Sequence, residues 1–422
     1  MAVEAPEILH LSLIVGGALR DSDGVRLGRV DDLIVRLGGS GYPPITGCLV
    51  TVAGRQSYLP SERVAAIAPG EVVLSKAKLD LRQFARRPEE VLLKHDVLDH
   101  QLINVEGARL VRANEVELAR SDGWWRVVGV DAGPRGGLRR LLPRALGRRI
   151  ATGGFLDWMS VEPFAGEVAA VRLRVLHPRL AKLHPAQIAD LVEAASHGEG
   201  EEIIQAVGQD DRELEADVFE ELDEQHKLEF IEQRSDEEVA AVISRMAPDD
   251  AADLVAELDK ERQGEVIERL PAVQRRKVRA LLGYDPAEAG GLMSPDFVSV
   301  YRQATVGEAL ERVRRSPLAD DLLSTVYVMD STQRFLGAVG LAALVRADPL
   351  AGIAALEVQD TPCLVPEADF EEVARLMADY NLVAAPVVDA EKRMIGVVTV
   401  DDVLEVMLPR GWRRRFGLLG EE

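Results

Sequence analysis

Val328-Met329-Asp330-Ser331-Thr332-Gln333-Arg334-Phe335-Leu336-Gly337-Ala338-Val339 returns 59 residues later as Val387-Val388-Asp389-Ala390-Glu391-Lys392-Arg393-Met394-Ile395-Gly396-Val397-Val398. In both copies an apolar β-type run ends at an Asp turn. An Arg then leads into a second apolar run that contains a Gly. Upstream, Ala304-Thr305-Val306-Gly307-Glu308-Ala309-Leu310 parallels Ala368-Asp369-Phe370-Glu371-Glu372-Val373-Ala374. Two copies of one strand–helix unit predict a packed α/β pair over residues 293–408.

Toward the N-terminus the pattern changes to short helices. One begins at His184-Pro185, and further starts fall near Arg212, Glu224, Asp236, Pro248, Lys260 and Ala272. Ala251, Leu254, Val255 and Leu258 recur at i, i+3, i+4 and i+7 and make one helical face. Pro248 stands where a first-turn proline is tolerated. Helices this short are unstable alone and must stack, which predicts an all-α solenoid over 183–292.

Residues 7–80 read as short β segments, within a β domain expected over 1–131. Asp23-Gly24-Val25-Arg26-Leu27-Gly28-Arg29-Val30-Asp31-Asp32 has a weak counterpart 83 residues on, Glu106-Gly107-Ala108-Arg109-Leu110-Val111-Arg112-Ala113-Asn114-Glu115. Two such units predict a small barrel or two paired half-barrels. Residues 132–182 form a connecting segment. Its arginines 135, 139, 140, 144, 148 and 149 suit either a solvated linker or a basic contact with lipid, RNA or an acidic partner. The tail 409–422 carries Trp412-Arg413-Arg414-Arg415-Phe416 and reads as a solvated end or a membrane-interface contact.

The chain has 422 residues and a net charge of −21. Residues 183–292 hold 29 acidic and 11 basic side chains, whereas residues 1–182 have a slight basic excess. Such an acidic domain repels nucleic acid and attracts cations. No run approaches the ~18 apolar residues of a membrane-spanning helix, and no signal peptide is evident. Cys48 and Cys363 make neither a disulfide framework nor a zinc cluster, so a cytoplasmic protein is expected, at most peripheral to a membrane.

Three resemblances follow from these motifs. Residues 7–131 resemble PRC-barrel domains. The repeat in 293–408 resembles tandem CBS domains. Ala289-Gly290-Gly291-Leu292-Met293-Ser294-Pro295, set between acidic helices and the CBS-like pair, resembles the cytosolic half of MgtE-type magnesium channels. The resulting expectation is a multidomain α+β chain: a PRC-like small β-barrel, an all-α helical solenoid and a C-terminal α/β CBS pair. The channel-like pore that follows in that family has no counterpart in this sequence.

No nucleophile elbow, phosphate loop or HExxH motif is present, so no enzyme is expected. Asp249 and Asp253 lie i, i+4 on one helix face. Such a face is ordinarily solvated, but hard divalent cations require several oxygen ligands together. The MgtE resemblance implies Mg²⁺ ligands at Asp217, Asp249 and Asp253, and at Asp369, Glu371, Asp402 and Glu405 in the second CBS unit. Asn381 replaces an acid of that family, and the basic tail replaces its acidic connecting helix. The CBS resemblance implies an adenine nucleotide near Thr399 and Asp402, which equally suit a helix cap. In the first unit Gly340 and Ala343 replace the corresponding Thr and Asp.

These resemblances imply a regulatory Mg²⁺ sensor, dimeric through its CBS units. An accessory subunit acting in trans on a membrane transporter is the alternative. A PRC-type adaptor or RNA-associated protein is the third reading.

Overall fold

The computed structural model describes residues 8–37, 41–76, 85–87, 90–121, 123–133, 155–163, 180–356 and 361–408. The chain forms two compact units, Met1–Leu214 and Glu215–Glu422. The arginine cluster of 132–156 and the 409–422 tail fall largely or wholly outside the described residues.

In the first unit the strand Arg26–Arg36 pairs antiparallel with Ala18–Arg20, Ile45–Val52 and Glu90–Leu92. The second copy of the sequence repeat forms Gln101–Asn104, Arg109–Arg112 and Glu115–Ser121. The copies exchange their first strands. Glu90–Leu92 joins the first copy's sheet, and Ile8–His10 joins Glu115–Ser121 of the second.

Buried carboxylates lock the exchange in both directions. Asp32 accepts hydrogen bonds from the Lys94 and His95 amides at 2.7 and 3.0 Å. Its repeat mate Glu115 accepts from the Ser12 amide at 3.1 Å and from the Ser12 hydroxyl. Burial pushes the Asp32 carboxyl up to about 6 even though three amides, Lys94, Leu33 and His95, pull it down. Leu11, Ile14, Leu33 and Val35 share one core with Leu93, Val97, Val116 and Val130, so neither copy buries its apolar face alone.

The β ladder continues past Asp131 into Phe155–Asp157, and Val161–Pro163 pairs with Gln101–Asn104. Among the described residues the ladders end on free edges such as Arg55–Pro60. Among the described residues the pairings are open sheets joined by strand exchange, without the closed small barrel expected from the sequence. A ten-residue pattern of turns carries no information about which long-range edges meet.

The helices start where the spacing places them: Arg212–Glu221, Glu224–Glu232, Asp236–Ile243, Pro248–Ala256, Lys260–Arg269 and Ala272–Leu281. Local caps explain several starts. Asp223 accepts from the His226 amide, Ser235 and Glu238 form a capping box, and Pro248 is at the first helical position. Phe219, Phe230, Ile243, Val255, Val266 and Val278 are buried between the stacked turns.

Both α/β repeats form as the sequence predicts. Thr325–Met329 pairs with Phe335–Gly340, and Ala384–Val388 pairs with Met394–Thr399. The Asp turns are built alike: Asp330 accepts from the Thr332 and Arg334 amides, Asp389 from those of Glu391 and Arg393. The Gly-Gly joint then seats the helical layer on the second repeat. The Ala289 and Gly290 amides donate to the Ala368 and Pro366 carbonyls at 2.8 and 2.9 Å. A Cβ on Gly291 would stand 2.3 Å from the Asp285 carbonyl oxygen, which leaves no room for a side chain.

Asp32→Ala removes the side-chain acceptor of three backbone amides and is expected to cost about 2–3 kcal/mol in chemical denaturation. Glu115→Ala should cost a similar amount if the two caps are equivalent. Gly291→Ala is expected to destabilise the second unit by about 1–3 kcal/mol.

Candidate functional site

Helix Pro248–Ala256 has no side-chain cap of its own. Its entering amide, that of Ala247, donates instead to Glu220 Oε1 at 2.5 Å, so a carboxylate from helix Arg212–Glu221 serves the start of a different helix. Asp249 and Asp250 occupy the first turn, where the helix dipole favours negative charge, and Asp253 follows one turn on.

These acids face the start of the last described helix, Val400–Met407. There Thr399 and Asp402 form a capping box: the Thr399 amide donates to Asp402 at 3.3 Å, and the Thr399 hydroxyl makes a closer bond to the same oxygen. Glu405 lies one turn further.

Burial is the largest effect on the carboxyls of Glu220, Asp249, Asp250, Asp253 and Asp402, and repulsion from neighbouring acids adds to it. Asp249 is raised well above the usual carboxylate range, with Asp250, Asp402 and Glu220 as like-charged neighbours. Asp250 is pushed up to about 7, with Glu220, Glu405 and Asp253 opposing its charge. Asp253 is solvent-exposed by area yet crowded on its protein side, and reaches about 6. Asp402 and Glu220 each reach about 7. Lys227 is the cation that draws Glu220, Asp250 and Asp253 back down. Asp249 Oδ1 is buried with no hydrogen-bond partner among the described residues. Oxygens this crowded and partly unsatisfied suit protons or a hard cation.

The structure therefore gathers Asp249, Asp253, Asp402 and Glu405 from the acids singled out in the sequence. Asp217 adds its charge beside Glu220. Asp369 and Glu371 have other positions: Asp369 caps its own helix by accepting from the Glu372 amide at 2.8 Å, and Glu371 is exposed on that helix's first turn. Asn381 ends the same helix in the left-handed conformation, at φ 50°, which Asn tolerates better than most residues.

Thr399 and Asp402 hold a strand-to-helix cap, one of the two roles their spacing allowed. In the first repeat, Gly340 begins helix Leu341–Arg346 with no side-chain cap. Sequence reasoning missed Asp250, Glu220 and Lys227. The adjacent acids Asp249-Asp250 were the available signal, whereas the role of Glu220 depends on a contact 27 residues away.

The second unit is thus a layer of short acidic helices seated on the second of two α/β repeats, with carboxylates between them. Residues 183–287 match the MgtE intracellular N domain, and residues 289–349 and 355–409 match the CBS domain. The chain belongs to the family that joins these two modules.

It is 43% identical over 133 residues to the magnesium transporter MgtE of Thermus thermophilus, covering 32% of this chain and 30% of that protein. It is 25% identical over 192 residues to the Bacillus subtilis magnesium transporter MgtE, covering 46% and 43%. The chain thus spans less than half the length of these relatives. A crystal structure of the cytosolic domain of the Mg²⁺ channel MgtE in complex with ATP superposes with a TM-score of 0.51 and 32% identity, over 56% of this chain and 93% of that one. The soluble part of a magnesium transporter shares the fold at 23% identity and a TM-score of 0.50, over 55% and 90%. Among the described residues no helix is long and apolar enough to cross a membrane.

The raised carboxyls fix the sign of a pH effect. Such groups bind protons more tightly in the folded chain, so their stabilising contribution is present below pH ~4 and is lost as pH rises through 6 to 7. In chelator-treated protein, the melting temperature of the second unit should rise by about 3 °C or more from pH 8 to pH 5. Asp249→Asn should raise the pH 8 value and flatten the profile. A profile that falls toward pH 5 would contradict this assignment of repulsion.

Proposed function

We propose that the protein is a non-catalytic regulatory module that senses Mg²⁺. The carrying observation is the meeting of Asp249, Asp250, Asp253 and Glu220 from the helical layer with Asp402 and Glu405 from the second CBS unit. The donor set is all oxygen and rich in charge, and one buried carboxylate oxygen lacks a partner. Those features fit a hard divalent cation better than a soft one. When bound, the ion supplies positive charge that cancels the repulsion. The two carboxylate-bearing helix starts then hold together, and ion loss favours their separation, a population shift set by differential affinity for the two arrangements.

The relatives named above are magnesium transporters, which supports a regulatory output on magnesium transport, acting on a membrane domain in cis or on a separate transporter in trans. Dimerisation through the CBS pair and a cytosolic position belong to the same reading. An adenine nucleotide is a second ligand of the CBS pair, supported by the ATP complex of the related domain. Its contact through Asp402 would have to coexist with the Thr399–Asp402 cap. The N-terminal β unit, PRC-like in its sequence repeat, serves in this reading as a docking module.

Mg²⁺ titration should raise the melting temperature at pH 7.5 and reduce the scattering radius of the full chain. Asp249→Asn and Asp402→Asn should each weaken the Mg²⁺ midpoint by about tenfold, equivalent to about 1.4 kcal/mol. No Mg²⁺ effect on either readout of the wild type would refute the sensing function.

A further inference from the structure

We infer that the ammonium group of Lys227 is a tethered competitor for the carboxylate cluster, a built-in monovalent cation that weakens divalent-ion binding and thereby sets the ion concentration at which the site fills. The inference rests on the Mg²⁺ reading above and specifies how that site is tuned.

Helix Glu224–Glu232 fixes the position of Lys227. Phe230 and Ile231, three and four residues on, are buried, so Lys227 shares the inward face of its helix and is itself half-buried. The first turn is anchored by the His226 amide, which donates to Asp223 at 2.9 Å, and by the His226 ring, which stacks on Phe230. From there Lys227 acts on acids of two other helices: Glu220 at the end of Arg212–Glu221, and Asp250 and Asp253 on Pro248–Ala256.

It closes no salt bridge with any described residue. Its charge therefore acts as a field across the group and is not committed to one carboxylate. A lysine suits that role, because its charge is compact and its stem flexible, whereas an arginine fork would bind one carboxylate bidentately. Asp249, the acid with the unsatisfied oxygen, has only acids among its strongest charged neighbours. A divalent ion entering beside Asp249 must therefore draw on Asp250, whose charge Lys227 already offsets. Two like-signed cations held in one half-buried cluster repel, so the ammonium lowers the affinity for the divalent ion.

The test is calorimetric titration of the full chain with Mg²⁺ at fixed ionic strength, comparing wild type, Lys227→Gln and Lys227→Arg. Lys227→Gln is expected to bind Mg²⁺ about tenfold more tightly and to melt lower than wild type in chelator. Lys227→Arg, which keeps the charge, should stay within about threefold of wild type. If Lys227→Gln folds only with ion present, the Mg²⁺ concentration at half-folding replaces the calorimetric midpoint and should lie below the wild-type dissociation constant. A wild type that binds Mg²⁺ with Lys227→Gln binding no more tightly overturns this inference and leaves the sensing function standing. If neither protein binds Mg²⁺, both readings fall.

Discussion

Repulsion between facing carboxylates is the constraint around which the second unit is organised. Two helix starts, Pro248–Ala256 and Val400–Met407, direct acids toward one another from parts of the chain about 150 residues apart. Each start is favourable for an acid taken singly, because exposed amides and the helix dipole stabilise negative charge there. Brought together and half-buried, the same acids oppose folding unless protons or cations intervene. Lys227 offers partial relief to Glu220, Asp250 and Asp253, and Asp249 keeps an unsatisfied oxygen.

The surrounding structure holds that unfavourable arrangement in place. Ala289 and Gly290 at the joint donate their amides to the second repeat, and Ser294 and Val397 exchange hydrogen bonds at 2.8 and 2.9 Å. Gly396 makes the approach possible, since a Cβ there would stand 2.7 Å from the Met293 sulfur and 2.8 Å from the Ser294 carbonyl oxygen. Lys277 Nζ holds Asp296 through both carboxylate oxygens at 2.6 and 2.7 Å, tying the last solenoid helix to the same linker. A rigid seat beside a repulsive cluster is the combination a switch requires, because little of the cluster's energy is lost in local relaxation.

How much of this was legible follows from the range of each interaction. The solenoid helices and the 59-residue repeat were readable because their signals are local: a cap or first-turn proline, an apolar stripe, an Asp turn before a β run. The N-terminal repeat was visible too, including the alignment of Asp32 with Glu115, but the strand exchange those residues lock was not. Which edge accepts Glu90–Leu92 is decided by long-range pairing, and among the described residues the sheets stay open, unlike the closed small barrel that was one of the two forms the turn pattern suggested. At the cluster, Asp249 and Asp253 stood out by spacing. Glu220 did not, because its function is to cap a helix that starts far along the chain. Asp369 looked equivalent to the clustered acids by resemblance, and in the structure it caps its own helix. The −18 balance of residues 183–292 was a sound clue, but it could not say which few of those acids turn toward the CBS pair.

The most direct measurement is anomalous diffraction from crystals of the full chain grown with Mn²⁺, an anomalous scatterer that takes the same kind of oxygen ligands as Mg²⁺. The account predicts a peak between Asp249 and Asp402, bound by carboxylate oxygens from both helix starts and displaced by excess Mg²⁺. A well-diffracting crystal with no peak there, or with manganese only on exposed acids away from that contact, would contradict it.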